Sequence, residues 1–294
     1  MKLKIRKMEA HTNITKIDRC SGLSEKEFYN TYVKNSLPVV ITDRGDWTTL
    51  EKFTPVYFKS NYNHLNRTID GKTYPLSEII DLCKSSTPEN KAPYPNIYNV
   101  DRDFPEYPDD IPKMLYGKSN RLHSRLLPNF IAKRTNQQEL FFGGKGCSFP
   151  TLHIDYLGVH TQLTQIIGEK DFILYPPNQT PYLYPDKIRS TQSPVNIINP
   201  DYDRFPLFKN AVAIKTTLQP GETLFIPAGW WHTTYIHNFN LTYAIDHVNS
   251  FNWNFFMDET YIAAKKSHPK LAWTIKVYKV IMGKVFNLKE SLLN

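Results

Sequence analysis

From Glu139 to Val248 short β-branched and aromatic runs alternate with turn signals, and this constrains the fold more than any other feature of the chain. Leu140-Phe141-Phe142, His160–Ile167, Phe172–Tyr175, Ala211–Leu218, Thr223–Ile226, Thr233–His237 and Leu241–Val248 read as strands. Gly143-Gly144, Pro176-Pro177, Pro220-Gly221 and Asn238–Asn240 separate them. Many short strands at this spacing predict a barrel or a sandwich. The 14% aromatic content and the 21 prolines point the same way, toward short strands and long loops and away from a helical bundle.

The flanks differ. Ser24–Lys34 reads as a helix, with Ser24 at the N-cap and Glu27 at the capping-box spacing. Leu37–Thr42 is an apolar β-branched run, a buried strand. Ser77–Cys83 reads as a second capped helix. Residues 86–112 are crowded with prolines, including Pro108 and Pro112, and have room for one short strand at Asn96–Val100. Arg121–Arg134 has helical character, interrupted at Pro128. After Val248 the period becomes helical, with Leu271, Ile275, Tyr278, Ile281, Met282, Val285 and Phe286 on one stripe and Lys276, Lys279 and Lys284 largely off it. That stripe fits a helix docked on its own barrel, a homodimer interface, or a basic helix on a membrane surface. The chain therefore divides into an N-terminal α+β region (1–134) that contributes strands and substrate loops, a β core (135–250) and a C-terminal helical segment (251–294).

The formal net charge is +8, which admits nucleic acid as a partner. The basic residues are nevertheless scattered, with small clusters only at Lys2–Lys7 and Lys265–Lys266, so charge alone does not require one. Three widely spaced cysteines, Cys20, Cys83 and Cys147, give neither a disulfide framework nor a cysteine zinc site. The basic start lacks the apolar stretch of a signal peptide, and no window has the length of a membrane span. A cytoplasmic protein is expected, with nuclear residence left open.

Within the β region, His153 and Asp155 stand at i and i+2. In a strand these side chains share a face, while Ile154 points away. Downstream, Pro220–Pro227 reads as turn, buried strand and stop, and Ala228-Gly229-Trp230-Trp231 turns tightly into His232. Two imidazoles and one carboxylate form a facial triad that grips one side of a ferrous ion and leaves positions open; zinc accepts the same donors. Among the other histidines, His237 falls on the opposite face from His232, His247 is adjacent to Asp246, and His160 lies at the start of its strand.

At these residues the chain resembles the JmjC/cupin-like Fe(II)- and 2-oxoglutarate-dependent dioxygenases, in the branch that holds a protein asparaginyl hydroxylase and the tRNA wybutosine hydroxylase. The resemblance is carried by Leu152–Asp155, Gln165–Lys170, Phe172–Gln179, Tyr182–Pro185, Asn199–Pro206 and Pro220–His232, in order over roughly 139–250, with Leu37–Trp47 fitting the opening strand. It implies a mainly β fold with flanking helices, a double-stranded β-helix of the jelly-roll or cupin type. It implies Fe(II) held by His153, Asp155 and His232, and 2-oxoglutarate and dioxygen as co-substrates. Lys170 takes the position that binds the distal carboxylate of 2-oxoglutarate. Pro150 stands where relatives carry Thr or Ser, so Ser148 or Thr151 substitutes; Thr161 stands near a usual Asn, and Tyr98 is the match for a carboxylate-binding Tyr. Asp246 replaces a second Asn. The implied activity is hydroxylation of an unidentified protein side chain, nucleic acid or small molecule. A non-catalytic scaffold on the same barrel and an RNA-modifying hydroxylase are the competing readings.

Overall fold

The computed structural model describes residues 14–43, 48–107, 116, 120–135, 138–187 and 189–291. Lys2–Lys7, Trp47, Pro108, Pro112 and the side chain of Leu271 lie outside the description. Fourteen strands are described: β1 (Asp18–Cys20), β2 (Val39–Ile41), β3 (Asn66–Ile69), β4 (Lys72–Pro75), β5 (Asn96–Asn99), β6 (Gln138–Gly143), β7 (Leu152–His153), β8 (His160–Ile167), β9 (Lys170–Tyr175), β10 (Gln192–Ser193), β11 (Ile214–Leu218), β12 (Thr223–Ile226), β13 (Trp231–Ile236) and β14 (Asn240–His247). Seven pair in the order β1-β2-β12-β8-β14-β6-β5 and five in the order β10-β7-β13-β9-β11, while β3 and β4 form a separate hairpin. The two large sheets face each other as a double-stranded β-helix.

Alternation along the strands builds the interior. Thr161 and Leu163 of β8, Glu139 and Phe141 of β6, and Ala244 and Asp246 of β14 all turn inward from the larger sheet. Lys170 and Phe172 of β9, with His232 and Thr234 of β13, turn inward from the smaller one. Leu174, Ile214, Leu218, Leu224, Ile226 and Trp230 belong to an apolar cluster that includes Leu163 and Phe172. Strands β1, β2 and β5 come from the first 134 residues, so that region is woven into the larger sheet. The helix Leu76–Ser85 packs by Leu76, Ile79, Ile80 and Cys83 in a cluster shared with Leu140, Phe142, Leu241 and Tyr243.

Several elements differ from the sequence expectation. The capping box of Ser24 and Glu27 is present, but the helix it starts is α-helical only over Glu25–Phe28 and continues as a π-helical turn, Tyr29–Val33. The helix expected at Ser77 begins at Leu76, with Pro75 at its N-cap and no side-chain cap. Arg121–Arg134 yields only a 3-10 turn, Arg121–His123, and a short helix, Asn129–Ala132, because Pro128 takes the extended conformation that precedes a helix. The C-terminal segment is two helices, Trp253–Ser267 and Pro269–Ser291. Pro269 lacks an N–H and suits the first turn of a new helix better than the interior of an old one. No described helix is long and apolar enough to cross a membrane.

Candidate metal centre

Asp155 lies just past β7, in an extended conformation (φ −57°, ψ 138°) that keeps its side chain on the His153 side. His232 sits inside β13, one residue into the strand, and is paired directly with His153 across the ladder. The sequence expectation began this strand at Thr233; its earlier start at Trp231 brings His232 into register with His153. One ligand atom from each of His153, Asp155 and His232 falls within 4.8 Å of the other two. Asp155 Oδ1 is 3.8 Å from His153 Nε2 and 3.5 Å from His232 Nε2.

Hydrogen bonds set the protonation pattern. His153 Nδ1 lies 3.1 Å from the Thr151 carbonyl and His232 Nδ1 3.2 Å from the Trp230 carbonyl. A carbonyl only accepts, so both Nδ1 atoms carry the proton and both Nε2 atoms present lone pairs. Burial lowers the pKa of His153 and keeps it neutral. Thr161 Oγ1 donates to Asp155 Oδ2 at 2.6 Å, which leaves Oδ1 facing the imidazoles. Three acceptors thus converge with no proton between them. This arrangement is repulsive by itself and becomes favourable around a cation, so the donor set fits a divalent metal. Phe149 stacks on His153 with centroids 4.3 Å apart and planes 25° apart, which fixes the ring.

The triad opens into a cavity of roughly 490 Å³ between the sheets. Lys170 reaches into it from the far end of β9. Its Nζ donates to Tyr94 Oη at 3.1 Å and Thr242 Oγ1 at 3.3 Å, and lies over the rings of Tyr94, Phe141 and Phe172 at 5.4–5.7 Å. Burial alone lowers this ammonium to about 7. A buried cation among aromatic rings is a receptor for a carboxylate, because an anion would offset its desolvation.

The other sequence candidates are placed differently. Tyr98 does not reach the cavity. Its neighbour Ile97 takes the inward position on β5, so alternation turns Tyr98 outward against Phe104 and Phe142, with Arg67 over its ring at 4.5 Å. The phenol beside Lys170 is Tyr94, just before β5. The sequence signal that could have found it is the Tyr94-Pro95 step, which breaks the chain before the strand and lets one aromatic turn in. Ser148 is likewise not a lining residue: Phe149 takes the inward place, and the buried Ser148 hydroxyl has no hydrogen-bond partner. Thr161 lines the cavity, yet its hydroxyl is committed to Asp155 and is not left for a co-substrate. Asp246 lines the cavity on the same rung as Thr161. His237 is on the outer face, 2.8 Å from Asp171, and His160 and His247 are buried behind β8 and β14.

Residues 25–259 match the family model of a cupin-like domain. The chain is 38% identical over 107 residues to HSPB1-associated protein 1 of Homo sapiens, which is 35% of this chain and 22% of that protein. It is 23% identical over 247 residues to the bifunctional peptidase and (3S)-lysyl hydroxylase JMJD7 of Homo sapiens, covering 70% of this chain and 75% of that protein. Against tRNA wybutosine-synthesizing protein 5 of Gallus gallus it is 39% identical over 80 residues, 27% of this chain and 24% of that protein. The chain thus spans less than a quarter of the length of HSPB1-associated protein 1.

Proposed function

Because the chain belongs to the cupin-like domain family, we propose that it is an Fe(II)- and 2-oxoglutarate-dependent oxygenase that hydroxylates a C–H bond presented at the cavity mouth. The observation that carries this reading is the pairing, in one cavity, of a three-acceptor metal site with a buried lysine. His153, Asp155 and His232 would hold the iron. Lys170 and Tyr94 would hold the distal carboxylate of 2-oxoglutarate. Bound together, these groups supply dioxygen activation, with succinate and carbon dioxide as co-products.

The chain's own residues do the rest. Thr161 orients the Asp155 carboxylate. The Thr151 and Trp230 carbonyls hold each imidazole in the tautomer that can ligate. Phe149, Phe141 and Phe172 line the cavity and keep water from the reacting groups. The relative named a lysyl hydroxylase and the one named a tRNA-synthesizing protein support hydroxylation without selecting between protein and nucleic acid as substrate.

The test is calorimetric titration of 2-oxoglutarate into the anaerobic protein with Fe(II) or Mn(II), followed by succinate release in air. His153→Ala is expected to abolish metal binding, and Lys170→Met to abolish 2-oxoglutarate binding while metal binding persists. Metal binding without any 2-oxoglutarate binding would replace this reading with a scaffold; zinc retained in preference to iron would redirect it to hydrolytic chemistry.

A further inference from the structure

The helix Pro269–Ser291 is apolar on two faces. One face, with Ala272, Ile275 and Phe286, is buried in a cluster with Trp253, Phe256 and Leu122. The other carries Trp273, Val280, Ile281 and Leu288 at 69, 60, 56 and 65% exposure, with Val277 and Val285 at 37 and 40%. At about 100° per residue these six fall on a single arc running the length of the helix. Isolated exposed apolar residues are ordinary, but a continuous stripe of this length marks a covered surface.

The stripe is nearly palindromic about the bond between Val280 and Ile281. We propose that this face binds the same face of a second copy of the chain, with the two helices antiparallel across a two-fold axis. Trp273 then meets the partner's Leu288, and Val280 meets the partner's Ile281. Lys284 falls opposite the partner's Val277 and Lys276 opposite the partner's Val285. No lysine stands opposite another, so each stem covers apolar surface while its ammonium reaches water. A parallel pair would instead set Lys284 against Lys284 and Trp273 against Trp273. The exposed apolar surface is on the order of 700 Å², close to the roughly 800 Å² per partner of a standard interface.

The face is also held rigid before any partner arrives. Arg121, 2% exposed, donates from Nε to Glu290 Oε1 at 2.7 Å and from Nη2 to Glu290 Oε2 at 2.8 Å and Asn287 Oδ1 at 2.6 Å. Lys279 pairs with Asp258 at 2.6 Å. Little ordering cost remains for association.

Sedimentation equilibrium of the full chain across the micromolar range tests the proposal. The wild type should have the mass of a dimer. Val280→Glu/Ile281→Glu should weaken the dimer roughly 100-fold or more, with circular dichroism and metal binding unchanged, since both side chains are exposed in the monomer. Val280→Lys/Ile281→Lys should also be monomeric alone. Mixing the two variants should restore a dimer, because positions 280 and 281 face each other. A monomeric wild type, a dimer indifferent to the Glu pair, or a wild type whose stripe instead binds phosphatidylserine vesicles, would each overturn the proposal.

Discussion

Asp155 presents two oxygens with different surroundings: Oδ1 faces the imidazoles and Oδ2 accepts from Thr161. Thr161→Val keeps the shape and removes that donor, so metal affinity is expected to fall about 10-fold. Thr161→Ser should restore most of it, as read by competition with a fluorescent chelator. Lys170 has a second testable property. Its ordinary value is 10.5 and its folded value about 7. Between these the unfolded chain holds a proton that the folded chain has lost, so this group makes stability rise with pH across that window. A bound carboxylate would hold the ammonium charged. Binding of 2-oxoglutarate above pH 7 should therefore take up a proton and weaken as pH rises. Calorimetry in two buffers of different ionisation enthalpy at alkaline pH measures that uptake. Lys170→Met is expected to raise the melting temperature, because it removes a buried ammonium.

At the scale of elements, alternation decides which side chains enter the site. It sets Ile97 inward and Tyr98 outward, and Phe149 inward and Ser148 aside. These sequence expectations were adjacent in the chain to lining residues, yet on the wrong face. A one-residue offset is invisible in a composition of aromatic and hydroxyl residues, and it reverses the direction of every side chain. The two C-terminal helices pose a different question, because they are joined to the β core through few polar contacts. Asn252 Nδ2 donates to the Gly158 carbonyl at 3.1 Å, in the turn that follows Asp155. Arg121 ties the second helix to the turn Arg121–His123. Arg121→Met leaves the Glu290 carboxylate without its partner and should cost about 3 kcal/mol. Hydrogen exchange should then show faster opening of Pro269–Ser291, while β8 and β14 stay protected. Arg121→Met with Glu290→Leu should recover much of the loss.

For the whole molecule, the buried imidazoles behind the larger sheet set the acid limit. His160 is lowered to about 3 by burial, and His247 is lowered well below its ordinary value by burial and by the neighbouring His160 and His123. Both therefore stay neutral in the fold and charge in the unfolded chain. Their contribution is complete above pH 6.5 and is lost as pH falls from 6.5 toward 3. Each should remove roughly 1.4 kcal/mol of stability per pH unit in that window. Urea midpoints measured against pH check this slope, and His160→Gln with His247→Gln should flatten it. The sequence by itself determined the strand periods, the breaks between them and the three residues of the candidate centre. Periodicity of two and the chemistry of Gly and Pro act locally and can be read along the chain. Only the tertiary structure decided that Tyr94 stands beside Lys170, that the Thr161 hydroxyl is committed to Asp155, and that one face of the last helix is left open. Each of these depends on which strand lies across the barrel and which helix covers which face. Such contacts join residues far apart in sequence, and no local pattern encodes the distance between them.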